Sequence, residues 1–536
     1  MIEGHEVVST KGAVAAGPPE AARIGAQILE QGGNAMDAAS AASIACAMVQ
    51  PQSTGVAGYV SAAVVLDGKT GKVWSIDSNS IAPSALTPDL FAVTPAPNGG
   101  PSLNEREYFC KVKDDANVHG PLAVGPPGML AGAGILHERW GRLKWDRIVA
   151  PSQKLLEDGY KCRCADAVKS LEHVIRRFEP TMKHLMPHGR LPTPDDIWHR
   201  TEMQPTLARL ARAGWRDMYS GELGRKIADY IQSIGGVLSR QDMAEFEPRV
   251  TDPYTITYRN ATIHGAILTN GALSALEALL MLECFDTVPD NTVEYWHRLA
   301  EVFKLAWRDR LNYLADPNFV DVPIERLLSK DYAMGRTESL RHFPDYVDKR
   351  VPPIPKPPGG TLHVSTADAE GNVVSITISQ GMAFGSCVTV PGTGLILGHG
   401  VCRLDPRPGL ANSLAPKKRP LNNGCPILMR LPDRDVAVGL PGGRRIVCVV
   451  PRMAHCILEF GATAKEAAFA PRLFVGTAEP IEIQETAPAG IADGLRAMGH
   501  EVNIVKVIAG GAHLAEFLKH DRKVRAGGNT WAAGVE

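Results

Sequence analysis

The sequence predicts a mixed chain of helices and strands, α/β or α+β in class. Three observations predict it. Residues 34–48 are alanine-rich with no polar face, 60–76 and 361–379 carry hairpin patterns, and 100–345 is mostly helical in pattern. At 536 residues the chain holds roughly two to four domain-equivalents, or one large unit. Hydrophobic residues make up 44% and charged residues 21%, ordinary globular values that argue against extensive disorder. The 57 basic and 58 acidic side chains leave a net charge of −1, which argues against a nucleic-acid partner.

The elements follow in order. Ala21 to Gln31 is a helical stretch, and Gly32-Gly33 supplies the residue a helix C-terminus prefers. Asn34 to Met48 has small residues on every side, which suits a helix buried against a sheet. Val60 to Leu66 and Lys72 to Ile76 form a hairpin around Asp67-Gly68. In the middle region, turn signals stand at Gly125-Pro126-Pro127-Gly128, Gly235-Gly236 and Asn270-Gly271. The sharpest composition shift is KRVPPIPKPPGG at 349–360, whose five prolines force an extended path.

Beyond it, Thr361 to Ala367 alternates, Asp368 to Asn372 is turn chemistry, and Val373 to Ser379 alternates again. A five-residue loop sets 361 opposite 379, 363 opposite 377 and 365 opposite 375. One face then becomes a row of hydroxyls: Thr361 beside Ser379, His363 beside Thr377, Ser365 beside Ser375. On pattern alone, a sheet face open to water is the favoured reading of that row.

No apolar run of about 18 residues occurs, so no spanning helix and no membrane partner are expected. Met1 to Glu6 lacks the start of a secretory signal, and ten cysteines lie scattered, which suits reduced thiols in the cytoplasm. Cys162 and Cys164 are the only close pair and lack the second pair a zinc site uses.

Thr361-Leu362-His363-Val364-Ser365, Asp368, Gly371-Asn372 and Phe384-Gly385-Ser386 resemble the start of the small subunit of γ-glutamyltransferases. Other pieces resemble the family in the same order. They are Gly32 to Ala39, Ala306-Trp307-Arg308-Asp309-Arg310, Leu314 to Pro317, Lys418 to Leu421, and Pro441-Gly442-Gly443. The resemblance spans nearly the whole chain. It implies a four-layer αββα N-terminal-nucleophile hydrolase sandwich and self-cleavage of the Gly360–Thr361 bond. The chain would divide into a large subunit, 1–360, and a small one, 361–536, in an α/β heterodimer from one precursor. A dimer of heterodimers is the larger assembly considered.

The chemistry explains why a threonine is needed there. An ordinary hydroxyl requires an adjacent base, and a chain-terminal threonine carries its own α-amine with a pKa of about 7.7–8.0. That amine exists only after cleavage. The resemblance also implies that Ser379 supports the nucleophile and that Gly442 and Gly443 form the oxyanion hole. Nucleophile and base lie in one residue, so neither a metal nor an organic cofactor is implied.

Three elements of the family's amino-acid clamp are absent. Asn79 stands at the arginine position, Cys402 or Arg403 at the acidic one, and Gly381, beside Gln380, at an asparagine. Asn422 and Asn423 replace a serine pair, and Arg444 replaces a small residue next to the oxyanion glycines. An asparagine does not match a bidentate arginine–carboxylate contact. The substrate-binding candidates are therefore Asn79, His363, Gln380, Arg403, Asn422, Asn423 and Arg444. The expected substrate is a small acidic amide, oxamate-like, with Arg444 facing its carboxylate. The competing reading of Arg444 is a solvated or helix-dipole arginine. Two other functions stay open: a γ-glutamyltransferase or glutathione hydrolase with a rearranged pocket, and an unprocessed binding or scaffold protein.

Overall fold

A computed structural model describes residues 1–94, 110–341 and 359–536. The proline-rich run at 349–358 lies outside the described residues. One continuous sheet forms the centre. From the N-terminal half come β1 (Ile2–Ser9), β2 (Gly12–Ala16), β3 (Val60–Leu66) and β4 (Val73–Asn79). The middle region adds β5 (Arg249–Thr251), β6 (Tyr254–Tyr258) and β7 (Ala261–Gly265). The rest are β8 (Gly359–Asp368), β9 (Val373–Met382), β10 (Ile427–Arg430), β11 (Arg434–Gly439), β12 (His513–Leu518) and β13 (Lys523–Val535). Their order is β5-β4-β3-β9-β8-β2-β13-β12-β11-β10-β7-β6, with β1 paired to β13.

The sheet folds back so that its two halves stack face to face. Ser365 Oγ on β8 donates to the His513 carbonyl on β12, and Ser375 Oγ on β9 donates to the Val438 carbonyl on β11, both at 3.0 Å. Helices α1 (Pro19–Glu30), α2 (Ala35–Val49), α3 (Met129–Trp140) and α4 (Trp145–Asp158) cover one outer face. Helices α5 (Ala272–Glu283), α6 (Val293–Tyr313) and α7 (Ile446–Phe460) cover the other. The result is a four-layer helix–sheet–sheet–helix sandwich.

Local chemistry accounts for the framework of the site. Gly32 closes α1 at φ 91°, with Gly33 N–H bonded to Ile28 O and Gly32 N–H to Leu29 O, the paired bonds of a Schellman cap. Every residue of α2 is buried, as its uniformly small side chains predict. Asn34 caps α2 and exchanges hydrogen bonds with Asp37. Asp368, the last residue of β8, accepts from Ala35 N–H at 2.8 Å and so ties the start of the β8–β9 turn to the start of α2. The β8–β9 register is Thr361↔Ser379, His363↔Thr377 and Ser365↔Ser375, as the loop length predicts.

One expectation is corrected. The hydroxyl row is not open to water, because the second half of the sheet covers it; His363, Ser365 and Ser375 are fully buried. The middle region is mostly helical, as its pattern predicts, and within it residues 249–265 form three strands at the two ends of the sheet. They are short, and only β6 and β7 alternate clearly between buried and open positions.

Strands before and after residue 360 interleave. β8 and β9 lie between β2 and β3, and β10 pairs with β7. A cut at 360 would leave both pieces sharing one sheet.

Candidate active site

Thr361 sits near the start of β8, half-buried. The β8–β9 pairing slips by one residue here. Gly360 faces Gly381 and Thr361 faces Ser379, so Gln380 has no partner across the pair. Such a bulge bends the strand and re-aims its side chains. Thr361 Oγ1 lies 3.0 Å from Ser379 Oγ. Ser379 Oγ also contacts the Gly360 carbonyl oxygen and accepts the Gly381 N–H at 3.0 Å. A serine hydroxyl has one proton. It donates to the Gly360 carbonyl, so Thr361 O–H donates to Ser379. The bond following Gly360 therefore has a hydroxyl on its carbonyl oxygen and the next residue's hydroxyl beside it. Gly360 admits no side chain: a Cβ there would meet Met382 O at 2.5 Å.

Buried neutral imidazoles frame this strand. His363 Nδ1 pairs with Thr377 Oγ1 at 2.8 Å and Nε2 with Ser365 Oγ at 3.0 Å. Burial, then the neighbouring His513, holds its pKa well below the usual histidine range. His399 Nε2 accepts the Met382 N–H at 2.7 Å, so its Nδ1–H donates to the Val118 carbonyl at 2.9 Å. Gly381, at φ 103°, lets that ring approach, since a Cβ would lie 2.1 Å from it. Burial lowers the His399 and His513 pKa values to about 3. The unfolded chain titrates near 6.5, so it takes up protons before the folded one does. Stability from these groups is complete above about pH 6.5 and declines as pH falls toward 3. Thermal unfolding from pH 7.5 to 4.5 should show a falling Tm, with a shallower slope in His399→Gln.

On the facing half of the sheet, β11 ends at Gly439 and the chain turns through Gly442 and Gly443 into α7. The turn Gly443–Arg445 packs against β8. Gly443 adopts a left-handed φ of 59°, and a Cβ on Gly442 would lie 2.5 Å from that of Ala509. Glycine is thus required twice, leaving successive backbone N–H groups at the positive end of a helix. Arg444 is 2% exposed and lies over the Trp307 ring at 5.4 Å. That burial removes the solvated reading of Arg444. Arg445 instead pairs with Glu482, two contacts at 2.8 Å.

The asparagines converge on one loop. Asn79, fully buried, donates from Nδ2 to Thr269 Oγ1 at 2.7 Å and to the Pro420 carbonyl. Asn422 donates its backbone N–H to the Thr269 carbonyl at 2.9 Å and its Nδ2 to Asn270 Oδ1 at 2.9 Å. Asn423 Oδ1 accepts from Arg310 at 2.8 Å. Thr269 and Asn270 are contributors that sequence reasoning missed; the Asn270-Gly271 dipeptide reads only as a turn. Arg403 is buried over the Tyr59 ring at 5.4 Å. Its turn packs through Gly400 against Ser80, next to Asn79. Gln380 follows Ser379 and points the other way, its amide bound to the Ile396 carbonyl at 2.8 Å. His363 is likewise enclosed within the sheet stack. Gln380 is not brought to the asparagine loop, whereas His363 reaches it through Thr377, which lies against Gly424.

Among the described residues, His297, Glu301 and His500 have the spacing of a metal-ligand set. The Lys304 ammonium already bridges Glu301, at 2.6 Å, and Glu479 there.

Four layers around a threonine at the head of a central strand define the N-terminal-nucleophile hydrolase fold. The chain belongs to the gamma-glutamyltranspeptidase family, whose sequence model matches residues 21–536. It is 29% identical over 520 residues to the glutathione hydrolase proenzyme of Bacillus subtilis (strain 168), covering 92% of this chain and 86% of that one. It is 30% identical over 518 residues to the acylase ACY 1 proenzyme of Pseudomonas sp. (strain SE83), covering 95% and 90%. The structure superposes on the cephalosporin acylase from Bacillus halodurans with a TM-score of 0.86 and 26% identity, covering 99% of this chain and 97% of that one. The protein is thus an enzyme of the hydrolase and acyltransferase kind.

Proposed function

We propose that this chain is a self-processing amidohydrolase whose nucleophile is Thr361 and whose substrate is a short acidic amide. The observation that carries the reading is the hydrogen-bond chain from Thr361 through Ser379 to the Gly360 carbonyl. In the first stage Thr361 Oγ attacks the Gly360 carbonyl carbon. The hydroxyl proton passes to the departing amide nitrogen as the C–N bond breaks, leaving an ester. Water opens the ester, giving a Gly360 carboxylate and a free Thr361 amine.

In the second stage that amine takes the Thr361 hydroxyl proton as Oγ attacks the substrate amide. The N–H groups of Gly442 and Gly443 receive the developing oxyanion, where one donor commonly contributes about 3–4 kcal/mol. The proton goes to the leaving amine, and water then releases the acid from the threonyl ester. The two pieces, 1–360 and 361–536, stay associated as a heterodimer through their interleaved strands. A cytoplasmic location belongs to the same reading and is supported by ten cysteines, none of them in a disulfide among the described residues.

Two features support a substrate other than a γ-glutamyl compound. Asn79 has its amide nitrogen engaged by Thr269 and Pro420, and it lacks the fork that grips a carboxylate. Arg444 brings a buried guanidinium to the turn that carries the oxyanion glycines. An acylase relative and a cephalosporin acylase neighbour support the reading of an amide outside the γ-glutamyl class. The glutathione hydrolase relatives favour a second reading, a γ-glutamyl hydrolase with a rearranged clamp.

A panel of short acidic amides, oxamate included, set beside γ-glutamyl p-nitroanilide separates the two. The acidic amides should turn over and the anilide should not. Arg444→Ala should raise KM for the acidic amides about 10- to 100-fold, the range of a lost charge-assisted pair. Unchanged KM would remove Arg444 from the site.

A further inference from the structure

The segment Ala306 to Arg310 lies on α6, and the catalytic scheme leaves it without a role. Its side chains divide by face. Arg308 Nε donates to the Thr477 carbonyl at 3.0 Å, and Asp309 accepts from Tyr332 O–H at 2.9 Å. Trp307 and Arg310, three residues apart, share a different face, as i and i+3 positions do on a helix. Both are buried, at 1% and 0% exposure.

Among the described residues, this face meets segments that lie after residue 360. Trp307 Nε1–H donates to Cys448 Sγ on α7 at 3.3 Å, which fixes the plane of the ring. Against that ring lie the guanidiniums of Arg444, at 5.4 Å, and of Arg310, at 5.8 Å. Arg310 Nη2 donates to the Asn422 carbonyl at 2.7 Å and to Asn423 Oδ1 at 2.8 Å. The neighbouring Gly424 packs towards Thr377, the cross-strand partner of His363. A Cβ on Gly271 would meet Asn423 O at 2.8 Å and Val447 at 2.9 Å, so this loop and the start of α7 are in one packed unit.

We propose that Trp307 and Arg310 are positioning residues for the substrate end of the site. Trp307 holds the Arg444 guanidinium in place, and Arg310 sets the Asn422–Asn423 loop beside it. The inference rests on the acidic-amide reading above and deepens it. A guanidinium on a long flexible stem grips a carboxylate well only if its plane is set beforehand, and a fixed aromatic face sets it. The platform belongs to the 1–360 piece and both groups it holds belong to the 361–536 piece. The substrate end would therefore be assembled only while the two pieces stay together.

The test uses the full chain, with self-cleavage at Thr361 read by mass spectrometry as a check on folding. Trp307→Leu and Arg310→Met should each raise KM for the acidic amide about 10-fold, the scale of a lost buried cation–π contact or charged hydrogen bond. Their kcat, and their turnover of a neutral amide of the same length, should change little. Trp307→Phe keeps an aromatic face and should raise KM only about 3-fold. If the larger changes prevent folding, Trp307→Phe and Arg310→Lys still report, since both keep most of the volume. A KM rise confined to the acidic amide supports the proposal. Unchanged KM, or equal losses on acidic and neutral amides in cleaved protein, overturns it. If the wild-type chain neither cleaves itself nor hydrolyses acidic amides, the acidic-amide reading falls first. If it does both and the variants keep its KM, only the platform falls.

Discussion

Thr361→Ala is expected to leave one uncleaved chain with no measurable turnover, seen as a single full-length band on a denaturing gel. The reason is that one side chain serves both stages. Without its hydroxyl, nothing attacks the Gly360 carbonyl, so the bond persists. While the bond persists, the nitrogen of residue 361 is an amide and cannot act as a base. Turnover should fall by at least about 10⁴-fold, to what oxyanion donors and binding alone supply. Thr361→Ser keeps the hydroxyl and should still cleave. A second band in Thr361→Ala would place the nucleophile elsewhere and withdraw the proposed mechanism.

Ser379→Ala is expected to slow self-cleavage about 10²- to 10³-fold, the usual loss for one preorganised donor. In the uncleaved chain Ser379 meets three groups: the Thr361 hydroxyl, the Gly360 carbonyl and the Gly381 N–H. Its hydrogen bond to the carbonyl strengthens as negative charge builds on that oxygen. Removal also leaves a buried N–H without this partner, which costs about 1–3 kcal/mol of stability. A time course of band conversion measures the first effect and thermal unfolding the second. Normal cleavage with a lowered Tm would make Ser379 a packing residue only.

Parts of this site are legible in the one-dimensional chain because their causes are local. The Thr361–Ser379 pairing follows from alternation with period two and from a five-residue turn. The burial of α2 follows from a segment with no polar face. The face of β8 and β9 that carries the hydroxyls is equally legible, but its environment is not. Water and a second sheet are alternatives that the hairpin cannot distinguish, and the covering strands, β11 and β12, lie some distance along the chain. Residues 249–265 were missed for a related reason. Short terminal strands carry too few alternating positions to stand out inside a region of helical pattern.

The substrate end shows the same division more sharply. Arg444 is visible in the sequence as an unusual neighbour of Gly442-Gly443, and Asn79 as a missing arginine. That Arg444 is buried on Trp307, and that Asn79 and Asn422 meet at Thr269, comes only from folding. The sequence by itself determined the family resemblance, the bond expected to break, the hairpin register and the two glycines the α7 turn needs. These rest on backbone geometry and spacings of a few residues. The tertiary structure alone decided which side of the hairpin is enclosed, which polar groups satisfy one another, and that a helix before residue 360 holds an arginine beyond it. Those depend on segments 63 to 190 residues apart, which meet because burial of apolar surface draws the two halves of one sheet together.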